Sequence, residues 1–212
     1  MDITWLGNAA TRVRTRTAAV VMDPYDRSAG GTMGRPDAHI ITISHDDPLR
    51  NGIGGVAPAD GPPVVLRGPG EYEIRGVQVE AVAGAVKESL DLSGVRSVIW
   101  HFAAEGLSWA HLGGLGTQPT KEQMDLLSDV DIVIVPIALA DTLDPKEAAR
   151  AIRHIEPSVV IPVGYDPAEP EALNAFLAAV GGKPEAPVSR FTISRRGSEG
   201  DEMRVVLLEA RA

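Results

Sequence analysis

The hydrophobic pattern changes character just past the middle of the chain. Up to Leu112 the apolar residues come in short runs of period two or as unbroken β-branched blocks, separated by Gly, Pro and Asp. Strands are therefore predicted at Met1–Leu6, Thr11–Val13, Ala18–Met22, His39–Ser44, Pro63–Arg67 and Val77–Val82. Ser97–Ala103 and Leu107–Leu112 read as a hairpin through Glu105-Gly106, and Gly68–Glu73 reads as a turn. Beyond Gly116 helical periods alternate with buried-looking strands. Thr120–Leu127 opens on a capping box, Thr120 with Gln123. Asp144-Pro145 starts a helix that runs to Ile155, with proline in the first turn where its missing donor does no harm. Pro170–Val180 is a third helix. Asp131–Pro136 and Val159–Val163 are the strands between, and Phe191–Ser194 with Arg204–Glu209 reads as a closing hairpin around Gly197–Gly200. An antiparallel opening followed by βαβ-type units implies a layered sandwich, with two sheets inside and helices outside. No linker and no repeat of fixed period divides the chain, so residues 1–212 are expected to form one domain.

Composition narrows the function classes. The formal charge of −9 and pI near 5.0 argue against nucleic acid and against an anionic membrane surface, since both need a basic face. With no cysteine there is neither a disulfide nor a thiolate ligand or nucleophile. No apolar run reaches the ~18 residues of a membrane helix, and Met1–Trp5 lacks the basic and apolar segments of a signal peptide. A cytoplasmic location is expected.

The candidate chemistry centres on Ile41-Thr42-Ile43-Ser44-His45-Asp46-Asp47-Pro48-Leu49-Arg50-Asn51. Here a β-branched strand ends at a histidine and the chain turns through acids and proline, the place where an α/β hydrolase commonly presents metal ligands. Six other segments accompany it in order: Ile3–Gly7, Val20–Tyr25, Gly68–Glu73, His111–Gly116, Asp131–Pro136 and Val160–Tyr165. Together the seven resemble the metallo-β-lactamase-fold hydrolases, and within them the UPF0173-like or lactonase-like Zn-dependent subgroup. The resemblance runs from residue 1 to about residue 166. It implies a four-layer αββα sandwich with a site at one edge, between the sheets.

The resemblance also implies metal ligands, and few are present. In the family's Ser-His-x-His-x-(Asp or Gly)-His loop the first histidine is His45, but the second falls on Asp47, the acid on Leu49 and the third histidine on Arg50. The histidine expected after Val77–Val82 is missing from Ala83–Glu88. The bridging carboxylate of His-Leu-Gly-Asp falls on Gly114, beside a surviving His111, and the ligand of Pro-Met-His-Tyr falls on Gly164. Zinc needs roughly three or four donors at about 2.0–2.3 Å, so no cofactor is expected. Zn or Mn would bind only where non-standard donors rebuild the site, drawn from His45, Asp47, His111 and Asp166 with Asp23 in reserve. A guanidinium stays charged at any working pH; Arg50 would stand in for the cation, paired with Asp46, Asp47 or Asp23.

Three readings follow. The first is a non-catalytic relative, a pseudoenzyme that kept the fold. The second is a residual ester, lactone or phosphoester hydrolase in which His45 binds metal or acts as base, Asp47 orients water and Arg50 binds an anionic group of a small molecule. The third is an oligomeric binding module, since the family often forms homo-oligomers. His39, His101 and His154 read as structural, and Trp5, Trp100 and Trp109 as core.

Overall fold

The computed structural model describes residues 1–87, 96–195 and 203–211. The chain opens with β1 (Asp2–Gly7), β2 (Ala10–Arg14), β3 (Ala19–Met22), β4 (Asp37–Ala38), β5 (Ile40–Thr42), β6 (Ala57–Pro58) and β7 (Val64–Leu66). It continues with β8 (Gly70–Ile74), β9 (Val77–Ala85), β10 (Arg96–Ala104), β11 (Leu107–His111), α1 (Lys121–Leu127) and β12 (Ile132–Pro136). Then come α2 (Pro145–Ile155), β13 (Val159–Val163), α3 (Glu171–Val180), β14 (Phe191–Thr192) and β15 (Arg204–Val205). One sheet has the order β14-β1-β2-β3-β5-β7 and the other β15-β13-β12-β11-β10-β9-β8, while β4 and β6 form a small parallel ribbon.

The two large sheets face each other across a core set by strand alternation. Ile3, Trp5, Val20 and Met22 of the first sheet meet Val79, Trp100, Phe102, Trp109 and Ile134 of the second. Phe102 and Trp109 are register partners on β10 and β11, and their rings stack with centroids 4.9 Å apart. All three tryptophans are buried, each removing a large apolar surface from water.

The α-helices cover the second sheet. Ala148, Ala149, Ala151, Ile152 and Ile155 of α2 pack with Val133 and Val160; the small alanines let the helix sit close to the sheet. Asp144 caps α2 by accepting from the backbone N–H groups of Lys146 and Glu147. The Thr120–Gln123 capping box forms as expected, and Gln123 Nε2 also donates to Ala83 O, tying α1 to β9. The outer face of the first sheet is covered differently. Leu6, Val21, Ile41 and Ile43 are buried under Tyr25, Met33 and Val56, which come from the loops around 3-10 turns at Arg27–Ala29 and Ile53–Gly55. This outer layer is made of turns and the β4–β6 ribbon, completing the sandwich.

Two sequence expectations change. Phe191–Thr192 and Arg204–Val205 are not a hairpin: β14 pairs antiparallel with β1, and β15 pairs parallel with β13. Each closes the edge of a different sheet, which satisfies backbone groups that an open edge would leave unpaired; the Gly197–Gly200 turn lies outside the described residues. Gly68–Glu73 is not simply a turn. From Gly70 it becomes β8, antiparallel to β9, with Tyr72 and Ile74 packed against the central core and Glu71 and Glu73 exposed. Glycine and proline at its start hide that two-residue period from the sequence.

Candidate functional site

Strands β3 and β5 run parallel and adjacent, so their carboxyl ends deliver Asp23 and Ser44 to the same place. Asp23 takes φ 48, a left-handed conformation unusual for a non-glycine residue. Its carboxylate accepts from Ser44 N at 2.7 Å and from Ser44 Oγ at 2.5 Å. After Ser44 the chain makes a tight turn: Arg50 N and Asn51 N donate to Asp47 O, and Leu49 N donates to Asp47 Oδ1. This turn aims Arg50 back into the protein. Its side chain is 0% exposed, among the largest fully buried side chains described.

Three carboxylates surround that guanidinium. Arg50 Nη1 donates to Asp47 Oδ2 at 2.9 Å and Nη2 to Asp141 Oδ1 at 2.8 Å, while Nε lies 3.8 Å from Asp23 Oδ2. Asp23 belongs to the first sheet and Asp141 to the loop after β12 of the second, so one cation spans both. Burial works against its charge, but Asp23, Asp141 and Asp47 outweigh that and hold its pKa above the ordinary value. Burial likewise works against the carboxylates of Asp47 and Asp141; His45 and Arg50 reverse the effect and hold both below the usual range.

His45 closes the cluster. Its Nδ1 sits 2.9 Å from Asp47 Oδ2 and 3.5 Å from Asp141 Oδ2, straddling both carboxylates rather than aligned on either as a hydrogen bond. The carboxylates of Asp141 and Asp47 raise its pKa to about 9, so the ring carries a proton on both nitrogens at neutral pH. Three carboxylates thus face two cations. His111 has a different state. It is fully buried, Nδ1 accepts from Gly113 N at 3.1 Å and Nε2 lies 3.0 Å from Ala9 O. That pairing requires the Nε2–H tautomer, and burial lowers the ring's pKa.

The structure therefore brings together His45, Asp47, Arg50 and Asp23. Asp46 stays outside, at the surface with Asn51 and Arg67. His111 lies behind Asp23, with Nδ1 3.7 Å from Asp23 Oδ2, and is occupied by backbone. Asp166 is exposed and accepts from Ala168 N. Asp141 is the participant that sequence reasoning passed over. Its signal was position: it follows the carboxyl end of β12, a parallel neighbour of β11.

As they stand, these residues are arranged around a guanidinium. One atom each from His45, Asp47 and Asp141 lies within 4.8 Å of the others; Asp47 Oδ2 and Asp141 Oδ1 accept from Arg50, while Asp141 Oδ2 is buried with no hydrogen-bond partner among the described residues. The two family positions occupied by glycine are also filled from elsewhere. A Cβ at Gly114 would lie 3.2 Å from Asp141 Oδ2, so the Asp141 carboxylate sits against the position of the missing acid. At Gly164 the backbone is left-handed, φ 67, and a Cβ would lie 3.1 Å from Leu139 Cγ. Gly113 has a packing role: a Cβ there would collide with Ser44, where Val98 N donates to Ser44 O and joins the sheets. A cavity of about 410 Å³ remains beside His45, bounded by Ser44, Arg67, Ala83, Ser97 and Val98. Arg50 does not line it.

Comparison with known proteins agrees with this architecture. Residues 2–164 match the model of the β-lactamase superfamily domain. A UPF0173 metal-dependent hydrolase of Methanopyrus kandleri is 28% identical over 194 residues, covering 78% of this chain and 84% of that protein. Another, from Pyrobaculum arsenaticum, is 26% identical over 214 residues, covering 85% and 93%. Among solved structures, a candidate Zn-dependent hydrolase of the metallo-β-lactamase superfamily from Thermotoga maritima superposes with TM-score 0.78 at 24% identity, over 99% of both chains. At that identity the likeness speaks for the fold alone.

Proposed function

The chain belongs to the β-lactamase superfamily, and from that premise we propose that it is a non-catalytic member in which a fixed guanidinium balances the carboxylates of the former metal site. The observation that carries this reading is Arg50, wholly buried and bonded to Asp47 and Asp141 with Asp23 beside it. A guanidinium has neither the open coordination position nor the Lewis acidity with which a catalytic metal polarises a substrate or activates water. What it can do is neutralise charge and hold the ends of the two sheets together. Arg50 also has no surface from which to reach an anionic substrate group, so the role left to it is internal.

The test is metal content by mass spectrometry on untagged protein, grown with added Zn, Mn and Fe and purified without chelators. The expected result is far less than one atom per chain. Near-stoichiometric metal would overturn the proposal. A second reading is favoured by the proximity of His45, Asp47 and Asp141: an ester, lactone or phosphoester hydrolase using an oxygen-rich site, a donor set that suits Mn or Mg better than Zn. It demands that Arg50 move away and His45 lose its proton. Hydrolysis of aryl esters, lactones or phosphodiesters that rises with added Mn, and is lost in Asp141→Asn, would favour it over the first.

A further inference from the structure

On the outer face of the first sheet, the loop following Asp23 and the 3-10 turn at Ile53–Gly55 enclose a second cavity of about 410 Å³, which Arg50 does not line. We propose that this cavity binds a small molecule carrying a phosphate monoester. Arg27 and Arg35 both line it, and neither has a carboxylate within 4 Å among the described residues. Elsewhere Arg12 and Arg14 share Asp37, Arg75 pairs with Asp60 and Arg16 with Glu105, so Arg27 and Arg35 are two guanidiniums of one cavity that no described carboxylate neutralises by direct contact. The one acid in the wall is Asp26, and its Oδ1 already accepts from Ser28 N at 2.9 Å. The lining therefore carries two cations against one anion, in a protein of formal charge −9.

Part of the remaining wall is backbone. Gly31, Gly54 and Gly55 contribute no side chain, and the successive left-handed conformations of Gly30 and Gly31 turn the chain around the opening. Among the described residues the N–H groups of Gly31 and Met33 donate to no protein acceptor. Amides with no protein acceptor, beside two planar guanidinium forks, match the several oxygens of a phosphate better than a single point charge would. The floor is rigid and partly apolar: Tyr25 is held through its hydroxyl to Leu6 O at 3.1 Å, and Met33 is buried against it. The volume lies within the roughly 300–1,000 Å³ of small-molecule sites, which leaves space for an organic body beyond the phosphate.

The experiment is isothermal titration of the full chain with phenyl phosphate and, separately, inorganic phosphate, on wild type, Arg27→Ala/Arg35→Ala and Arg67→Ala. Both cavity arginines are exposed, so the double variant should keep its fold, checked by its melting temperature. Saturable one-to-one binding of phenyl phosphate is expected, tighter than that of inorganic phosphate and weakened about tenfold or more in the double variant. Arg67→Ala, beside the His45 cavity, should leave it unchanged. Absence of saturation below about 10 mM, equal affinity in the double variant, or loss in Arg67→Ala instead would each overturn the site. Inorganic phosphate binding as tightly as phenyl phosphate would overturn the monoester. Because Arg50, Asp23, Asp47, Asp141 and His45 do not line this cavity, these outcomes are independent of the metal measurement.

Discussion

Replacing Arg50 by methionine keeps most of the side-chain volume and removes the charge, which makes it the sharpest perturbation of the cluster. Asp23, Asp47 and Asp141 would then face one another with His45 as the remaining cation. Breaking a buried ion pair by removing one partner costs about 3–5 kcal/mol, because the partner's charge is left buried without compensation. For a chain of this size each kcal/mol lowers the melting temperature by about 2–4 °C. Arg50→Met should therefore melt about 6–20 °C below wild type. The assay is thermal unfolding by circular dichroism, supported by urea titration at fixed pH. Stripping the stranded charges as well, in Arg50→Met/Asp47→Asn/Asp141→Asn, should recover a substantial part of the loss. Arg50→Lys should fall between, since an ammonium cannot present a planar fork to Asp47 and Asp141 together. Arg50→Ala adds a further check: with space opened among three carboxylates, millimolar Mn should stabilise it by about 2.7 kcal/mol at a hundredfold excess over Kd, seen as a raised melting temperature, and leave wild type unmoved. An Arg50→Met variant within about 1 kcal/mol of wild type would refute the reasoning. So would a triple variant no more stable than the single one.

Protonation of His45 predicts a pH dependence. Its folded pKa, about 9, lies above the ordinary 6.5, so its contribution is complete below pH ~6.5 and is lost as pH rises through about 9. After discounting solvent at the cavity-facing edge this is on the order of 1–2 kcal/mol. Urea midpoints should fall over that interval in wild type and stay flatter in His45→Gln; parallel curves would count against the raised pKa. Gly52→Ala should be severely destabilising, because a Cβ there would overlap the Tyr25 carbonyl. An expressed variant with an unchanged urea midpoint would contradict that packing. Gly164→His should not create a metal ligand but should cost about 1–3 kcal/mol, through the left-handed backbone and the clash with Leu139. Adding Leu139→Ala should return part of it, read as a double-mutant cycle.

Most strands and all three helices were legible because their signals are local. Ile132–Val135 is an unbroken β-branched block, and the boundaries predicted for α1 and α2 rest on caps, Thr120 and Asp144, that form in the structure. What escaped depended on partners distant in sequence. Phe191–Thr192 and Arg204–Val205 look like two arms of one hairpin because they are short apolar runs flanking glycines, yet each is recruited by a different open edge, β1 or β13. No residue within the tail encodes that choice. The outer layer over the first sheet was equally opaque, since Tyr25, Met33 and Val56 cover it from irregular loops with no period to detect.

The site divides along the same line. The turn from His45 to Arg50 is contiguous, and its oddity, an arginine where the family pattern expects a histidine, could be noticed in one dimension. Asp141 is 91 residues from Arg50 and matches no motif position. Its relevance comes from parallel pairing, which lays β12 beside β11 and sets the loop after β12 against Gly114. The consequence is physical. With Gly114 in place of an acid and Arg50 in place of a histidine, sequence suggests a site that has lost groups one by one. In three dimensions the two positions are complemented: the Asp141 carboxylate sits against Gly114, and Arg50 is hydrogen-bonded to Asp47 and Asp141. A site decaying without replacement would leave buried charges unpaired, each costing several kcal/mol. The pairing among Arg50, His45 and the three aspartates is what allows a folded chain to keep so many ionised groups at the junction of its two sheets.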